Sequence, residues 1–311
     1  MSATDLLETI PCPLCGRDDA AERHRVRDHL FGRPGEFRVV QCNGCGLVYL
    51  NPRPTLEGLA AHYPRAYFCY TPVLSGALPP WLAMSGIVWH LNVRRIRQLE
   101  RVFGRVPREA RVLDVGCGCN AFLYHLHRLR GCDTLGVDTQ AEVVEAIRRR
   151  LGMSAVLGPL PRAGLSAESF DGVGMYEYIE HEGSPREILA EARRLTRPGG
   201  WLALETPNVD SPLARLFGRK WCQLDAPRHL VLYTPRTITM MLEQSGYEVV
   251  AIRRLTYQWM LGFSILVALG LRRLGRLGPL EAALGVAATL PFLPVPWFCP
   301  EFMRVYARKR D

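Results

Sequence analysis

The chain opens without the apolar core of a cleavable signal peptide. Residues 1–11 are polar and acidic, so no secretory leader is expected and the thiols are read as reduced, in a cytoplasmic setting. Internal repeats and low-complexity tracts are also missing, which excludes solenoid and linker-like architectures. Acidic residues are in deficit, 30 against 39 Lys and Arg, giving a net charge of +9. That balance admits nucleic acid, anionic lipid or phosphorylated substrates without choosing among them. The arginine pairs and triplets at Arg94-Arg95, Arg148–Arg150, Arg193-Arg194, Arg253-Arg254 and Arg272-Arg273 are spread along the chain, and most of them read as solvated helix faces. With 311 residues, 48% hydrophobic and 22% charged, there is enough apolar material for one large domain and an appendage.

The stretch from Arg111 to Asn120 carries the most information. Val112, Leu113 and Val115 read as a buried strand, Gly116 and Gly118 as a tight turn open to close approach by a ligand, and a helix begins near Ala121. Asp114 stands at the strand's end. Thr134–Asp138 is a second strand ending in an acid, the position that holds ribose hydroxyls in nucleoside-binding α/β folds.

The Asp-x-Gly-x-Gly pattern from Asp114 to Gly118 resembles the first motif of class I S-adenosylmethionine (SAM)-dependent methyltransferases. Ser169–Met175 matches the fourth strand of that family, Tyr178–His181 the segment after it, and Arg197–Glu205 the Arg-Pro-Gly-Gly turn into strand five. The resemblance runs from about Ala110 to the C-terminus. It implies a Rossmann-like, doubly wound α/β sheet, with SAM across the ends of strands one and two. Asp114 then serves the methionine end, Gly116 and Gly118 the backbone approach, and Asp138 the ribose. Two departures stand out: Asn120 replaces the third glycine, a residue able to adopt the left-handed conformation, and Val156–Leu160 lacks the acid usually near the adenine. Asp171 precedes strand four, so its expected role is structural.

Cys12-x-x-Cys15-Gly and Cys42-x-x-Cys45-Gly are two matching knuckles among ten cysteines. Each points two thiolates at one centre, and four thiolates suit a closed structural zinc site, with a redox pair as the alternative. Cys117 and Cys119 lie in the cofactor turn, where small residues are needed; neither is read as a nucleophile. Cys69, Cys132, Cys222 and Cys299 carry no spacing signal. The knuckles followed by Leu47–Pro54, with its Asn-Pro-Arg-Pro, resemble the N-terminus of bacterial methyltransferases that modify glycans and sugars. The expected organisation is a zinc ribbon at 1–50, a connector and helix at 51–105 (helical from Trp81 to Phe103), and the methyltransferase domain at 106–311.

Strands are expected at Glu248–Leu255 and Phe302–Arg308. Between them lie two apolar runs, Leu255–Leu271 and Ala282–Cys299, divided by Arg272, Arg273 and Arg276. Full spanning would carry three arginines across a bilayer, and Pro291, Pro294 and Pro296 break the second run. A helical hairpin over 256–300 lying in the membrane interface fits better, with an ordinary cap buried on the protein or a partner as the alternative.

Two histidines are candidate bases, His181 beyond strand four and His229 in Asp225–Leu230, which matches the acceptor-lid segment of the same methyltransferases. A histidine titrating near neutrality takes a proton from a hydroxyl or carbon acid; the alternative is that Arg228 and His229 only pin the lid. Tyr176, Tyr178 and Glu180 are placed along the pocket and Trp221 in the packing. The leading expectation is therefore methyl transfer from SAM to a sugar, glycan or lipid-linked acceptor near the inner membrane face, with zinc as structural metal; the apolar hairpin would serve a quinone-like acceptor equally. An RNA methyltransferase is the second reading. Tyr176–His181 is not the Asn/Asp-Pro-Pro-aromatic signature of base-amino methylation, so nucleic acid is not the expected partner. A non-catalytic zinc-ribbon adaptor is the third, opposed by the intact Asp114, Gly116, Gly118 and Asp138.

Overall fold

A computed structural model of the protein describes residues 6–63, 84–270, 287 and 300–310. Its centre is the strand–turn–helix unit read from the sequence. Strand β6 (Arg111–Val115) runs into the glycine turn and helix α3 (Ala121–Arg130), and β7 (Asp133–Asp138) lies parallel to β6 with Leu113 opposite Leu135. Leu113 and Val112 are fully buried, as a strand covered on both faces requires.

Seven strands form the main sheet. Strands β8 (Ser154–Leu157), β7, β6, β9 (Phe170–Tyr176) and β10 (Thr196–Pro207) are parallel neighbours in that order. Strand β13 (Phe302–Lys309) enters antiparallel between β10 and β12 (Tyr247–Leu255). Helices α5 (Pro185–Leu195) and α7 (Pro235–Gln244) pack their apolar residues with Val173, Leu202 and Leu204 in one cluster. Helices α2 (Gly86–Phe103) and α3 pack with Val112, Trp201 and Tyr306 in a second. The sheet is thus covered on both faces, the doubly wound arrangement the sequence implies. Asp171 accepts from the Arg111 amide (2.7 Å) and the Arg197 guanidinium (2.7 Å), tying the starts of three strands together.

The N-terminal segment builds a second sheet from β2 (Ala20–Val26), β3 (Phe37–Cys42) and β4 (Val48–Leu50). Its fourth strand comes from far along the chain: Val231–Leu232 pairs antiparallel with Val48 and Tyr49. Val39, Leu50, Val231 and Tyr233 therefore share one apolar cluster with the main sheet. Arg228 fixes this junction. Fully buried, it pairs with Asp28 (2.7 and 3.0 Å) and Asp225 (2.6 Å), donates to the His62 carbonyl (3.1 Å) and stacks on Phe31. Removing one partner of a buried ion pair strands the other charge and costs about 3–5 kcal/mol. Arg228→Met is expected to lower stability by about that amount; an unchanged urea midpoint would contradict this role.

Helix α2 is described from Gly86, so the expected start at Trp81 lies outside the described residues. Much of the connector does too, with Cys69, and so do Cys299 and most of the apolar insert. Within the insert the described helix is Gln258–Ala268. Its Leu261 and Val267 are buried, and the Ser264 hydroxyl accepts from the Cys222 amide (3.2 Å), so this part packs on the protein itself. Among the described residues no helix is long and apolar enough to cross a membrane.

Candidate functional site

The glycine turn has the backbone its residues demand. Gly116 (φ 66°), Gly118 (φ 51°) and Asn120 (φ 58°) are all left-handed, so asparagine does take the conformation of the missing glycine. The Tyr178 ring lies directly on Gly116: a Cβ there would stand 2.1 Å from its Cδ2. Left-handed backbone costs a substituted residue about 1–2 kcal/mol, and the forced overpacking about 1–3 kcal/mol more. Gly116→Ala is expected to weaken nucleoside-ligand binding at least tenfold; equal calorimetric affinity in both proteins would contradict the close packing of this turn.

Asp138 is buried. One carboxylate oxygen accepts from the Gly118 amide (3.0 Å) and the other from the Gln140 amide (2.9 Å). Burial raises its pKa, and these amides oppose the rise. Asp138 thereby anchors the turn and places a carboxylate beside it. Asp114 sits deeper, in space left by Gly174, whose Cβ would come within 2.8 Å of Asp114 Oδ1. That oxygen is buried without a hydrogen-bond partner. Burial pushes its pKa up to about 7, moderated by Arg95. A glycine cradle, an anchored acid and an orphaned acid oxygen fit a ligand with ribose hydroxyls and a cationic amino-acid end, as SAM has.

Beside Asp114 lies a charge cluster that sequence reading missed. Arg95 of α2 donates to Glu205 of β10 (2.9 Å) and to Glu177 (3.1 Å), and lies over the Tyr176 ring. Arg304 of β13 and the Tyr257 hydroxyl also bond Glu205. Burial alone would raise the pKa of Glu205, but Arg304 and Arg95 hold it down to about 2. Glu177, with left-handed backbone (φ 55°), is raised by burial to about 7. A faint signal existed: Glu205 follows the apolar run Trp201–Leu204, and Arg304 interrupts the apolar run Phe302–Ala307.

His181 and His229 are brought together, with ring centroids 4.6 Å apart. His181 follows β9 in a single 3-10 turn, Ile179–His181, and His229 precedes the strand Val231–Leu232 (β11). Burial lowers their pKa values to about 3 and about 4. Both are therefore neutral imidazoles at neutral pH, further from titration than the expected bases, because the two segments that carry them are enclosed. Glu180 lies beside them, fully buried. Trp221 is buried and donates to Glu301 (3.1 Å), a packing residue with one polar anchor.

The cysteine doublets converge. Cys12 and Cys45 Sγ atoms are 3.5 Å apart, as are Cys15 and Cys42, and all four lie within 4.8 Å of one another. Gly16 (φ 73°) and Gly46 (φ 81°) turn each knuckle, their amides donating to the Cys12 and Cys42 carbonyls at 2.9 Å. Zinc–sulfur bonds of about 2.3 Å place tetrahedral thiolates about 3.8 Å apart, so this donor set fits zinc.

Comparison with known proteins adds to this geometry. A family described as "Methyltransferase domain" matches residues 90–252, more than half of the chain. A 159-residue stretch is 27% identical to the ubiquinone biosynthesis O-methyltransferase of Burkholderia thailandensis, covering 47% of this chain and 68% of that protein. A 105-residue stretch is 34% identical to an uncharacterized 37.1 kDa protein in a Streptomyces fradiae transposon. That match covers 32% of this chain, which spans only 30% of the transposon protein. Among solved structures, phosphoethanolamine N-methyltransferase 2 of Haemonchus contortus, in complex with S-adenosyl-L-methionine, superposes with a TM-score of 0.56 at 17% identity. The superposition covers 85% of this chain and 63% of that one, a likeness of fold.

Proposed function

The chain belongs to the methyltransferase-domain family, and from that premise we propose that it transfers a methyl group from SAM to an oxygen of a small-molecule acceptor. The observation that carries this reading is the turn from Asp114 to Asn120 with Asp138 anchored beside it. SAM supplies an electrophilic methyl group on a sulfonium, and the chain's task is to hold donor and acceptor in line. Asp138 accepts from the ribose hydroxyls, Gly116 and Gly118 admit the cofactor close to the backbone, and Asp114 with Arg95 receives the amino-acid end. His181 and His229 stand on the acceptor side and handle the hydroxyl to be methylated. The four cysteines hold zinc, which fastens the N-terminal sheet.

The acceptor class we propose is a hydroxyl of a sugar, glycan or lipid-linked intermediate. It is supported by the paired knuckles with their Asn-Pro-Arg-Pro connector and, for a site near the cytoplasmic membrane face, by the apolar runs over 256–300. Relatives named for ubiquinone biosynthesis support a second reading, a phenolic hydroxyl of a quinone precursor. The test incubates the full chain with methyl-labelled SAM and a panel of nucleotide-linked sugars, lipid-linked sugars and prenylated catechols. A labelled sugar methyl ether is expected. Label on the catechol alone would replace this acceptor with the second, and label on nitrogen would overturn the oxygen assignment.

A further inference from the structure

Glu180, His181 and His229 each place one donor atom within 4.8 Å of the others. The set joins two separate parts of the chain, the 3-10 turn after β9 and the segment before β11. The Leu230 amide locks these parts by donating to the Glu180 carbonyl at 2.8 Å.

The orientation of both imidazoles is fixed from behind. His229 Nδ1 is 2.8 Å from the Gln223 carbonyl, and His181 Nδ1 is 3.0 Å from the Arg228 carbonyl. A carbonyl can only accept, so each Nδ1 carries the proton, and the Tyr63 oxygen at 2.9 Å from His181 Nδ1 accepts as well. The lone pair of each ring is left on Nε2. This is the arrangement in which metal-ligating histidines are held, one nitrogen donating to a backbone carbonyl and the other free for the ion.

The third member is a buried acid. Glu180 is 0% exposed, and neither carboxylate oxygen has a well-formed hydrogen bond among the described residues. The Thr206 hydroxyl is close enough to act on Glu180, though without a well-formed bond, and the Tyr233 hydroxyl is likewise buried. Arg228, the nearest buried guanidinium along the chain, is committed to Asp28 and Asp225. The remaining acid facing the pair is Asp225, 4.0 Å from His229 Nε2 and bonded to Arg228. A buried acid with only hydroxyls for company stays charged where a positive charge joins it and otherwise takes up a proton.

The geometry points to Glu180, His181 and His229 as a site for a first-row divalent transition cation, distinct from the four-cysteine centre. Two imidazoles and one carboxylate suit zinc, iron(II) or cobalt(II) better than magnesium or calcium. Bonds of about 2.1 Å need donors roughly 3–3.5 Å apart, which small side-chain rotations supply. Three protein ligands leave coordination positions open, as catalytic sites do. His181 is the least enclosed of the three, so an acceptor oxygen would reach the ion from its side. This last role rests on the methyl-transfer reading; the binding itself does not.

The test is metal stoichiometry on the full chain, dialysed against micromolar zinc and then measured after cobalt(II) replacement. Two ions per chain are expected, one showing the intense thiolate-to-cobalt absorption of a four-sulfur site and one only weak visible bands. Glu180→Gln and His229→Gln are each expected to bring the count from two to one while leaving the thiolate absorption intact. That absorption also reports that the N-terminal fold survives in the variants. One ion in the wild-type chain, or two in both variants, would overturn the proposal. Calorimetric titration of the wild-type chain with S-adenosylhomocysteine separates the two ideas: binding with only one metal sinks the second metal site alone, and two metals without binding sinks the methyl-transfer reading alone.

Discussion

Replacing Asp138 by alanine is expected to abolish measurable binding of S-adenosylhomocysteine. Two effects add. The variant loses the acceptor proposed for the ribose hydroxyls, and it releases the Gly118 and Gln140 amides, which donate to the carboxylate at 3.0 and 2.9 Å. Hydrogen bonds to a charged group are worth about 1.5–3 kcal/mol each, so losing two or more weakens binding on the order of 10²–10⁴-fold. Asp138→Asn separates the effects, since its carbonyl oxygen can keep one amide while the charge is gone. The order of affinity expected by calorimetry is wild type, then Asn, then Ala. Unchanged affinity in Asp138→Ala would remove the ribose from this corner and with it the placement of the cofactor.

A loss of comparable size is expected when Cys42 becomes serine. In small zinc modules the metal contributes about 10–16 kcal/mol to folding. Cys42 ends β3, and its amide and carbonyl bond Leu47 and Gly46 within the knuckle. The sheet it belongs to shares the apolar core of the main body through Val231 and Tyr233, so the damage should not stay local. Cys42→Ser is expected to lose the cysteine-bound zinc, to melt at a lower temperature and to expose the β2–β4 region to proteolysis. A chelator should do the same to the wild-type chain. A variant that melts like the wild type, with no zinc in either protein, would contradict a structural metal centre.

The sequence showed the main sheet because its signals are local. A strand entering a glycine turn demands residues able to hold positive φ, and Gly116, Gly118 and Asn120 do so. The cysteine spacing likewise encodes its own geometry, since each knuckle closes over a few residues. What escaped sequence reading depends on contacts between distant segments. Val231–Leu232 is too short to read as a strand until Val48 and Tyr49 pair with it. Arg95, Glu205 and Arg304 come from a helix and two strands, and their meaning appears only when all three carry charge into one buried place. The apolar runs were visible by length, but length alone does not say what covers them. The described helix, Gln258–Ala268, is partly covered by the protein itself.

The most direct test of the central claim is calorimetric titration of the purified, zinc-loaded full chain with S-adenosylhomocysteine, the product that methyl transfer would leave. Binding in the micromolar range with a stoichiometry of one, lost in Asp138→Ala, is the expected result. A folded, zinc-loaded chain that takes up no S-adenosylhomocysteine would contradict the account and leave a methyltransferase fold serving as a binding scaffold.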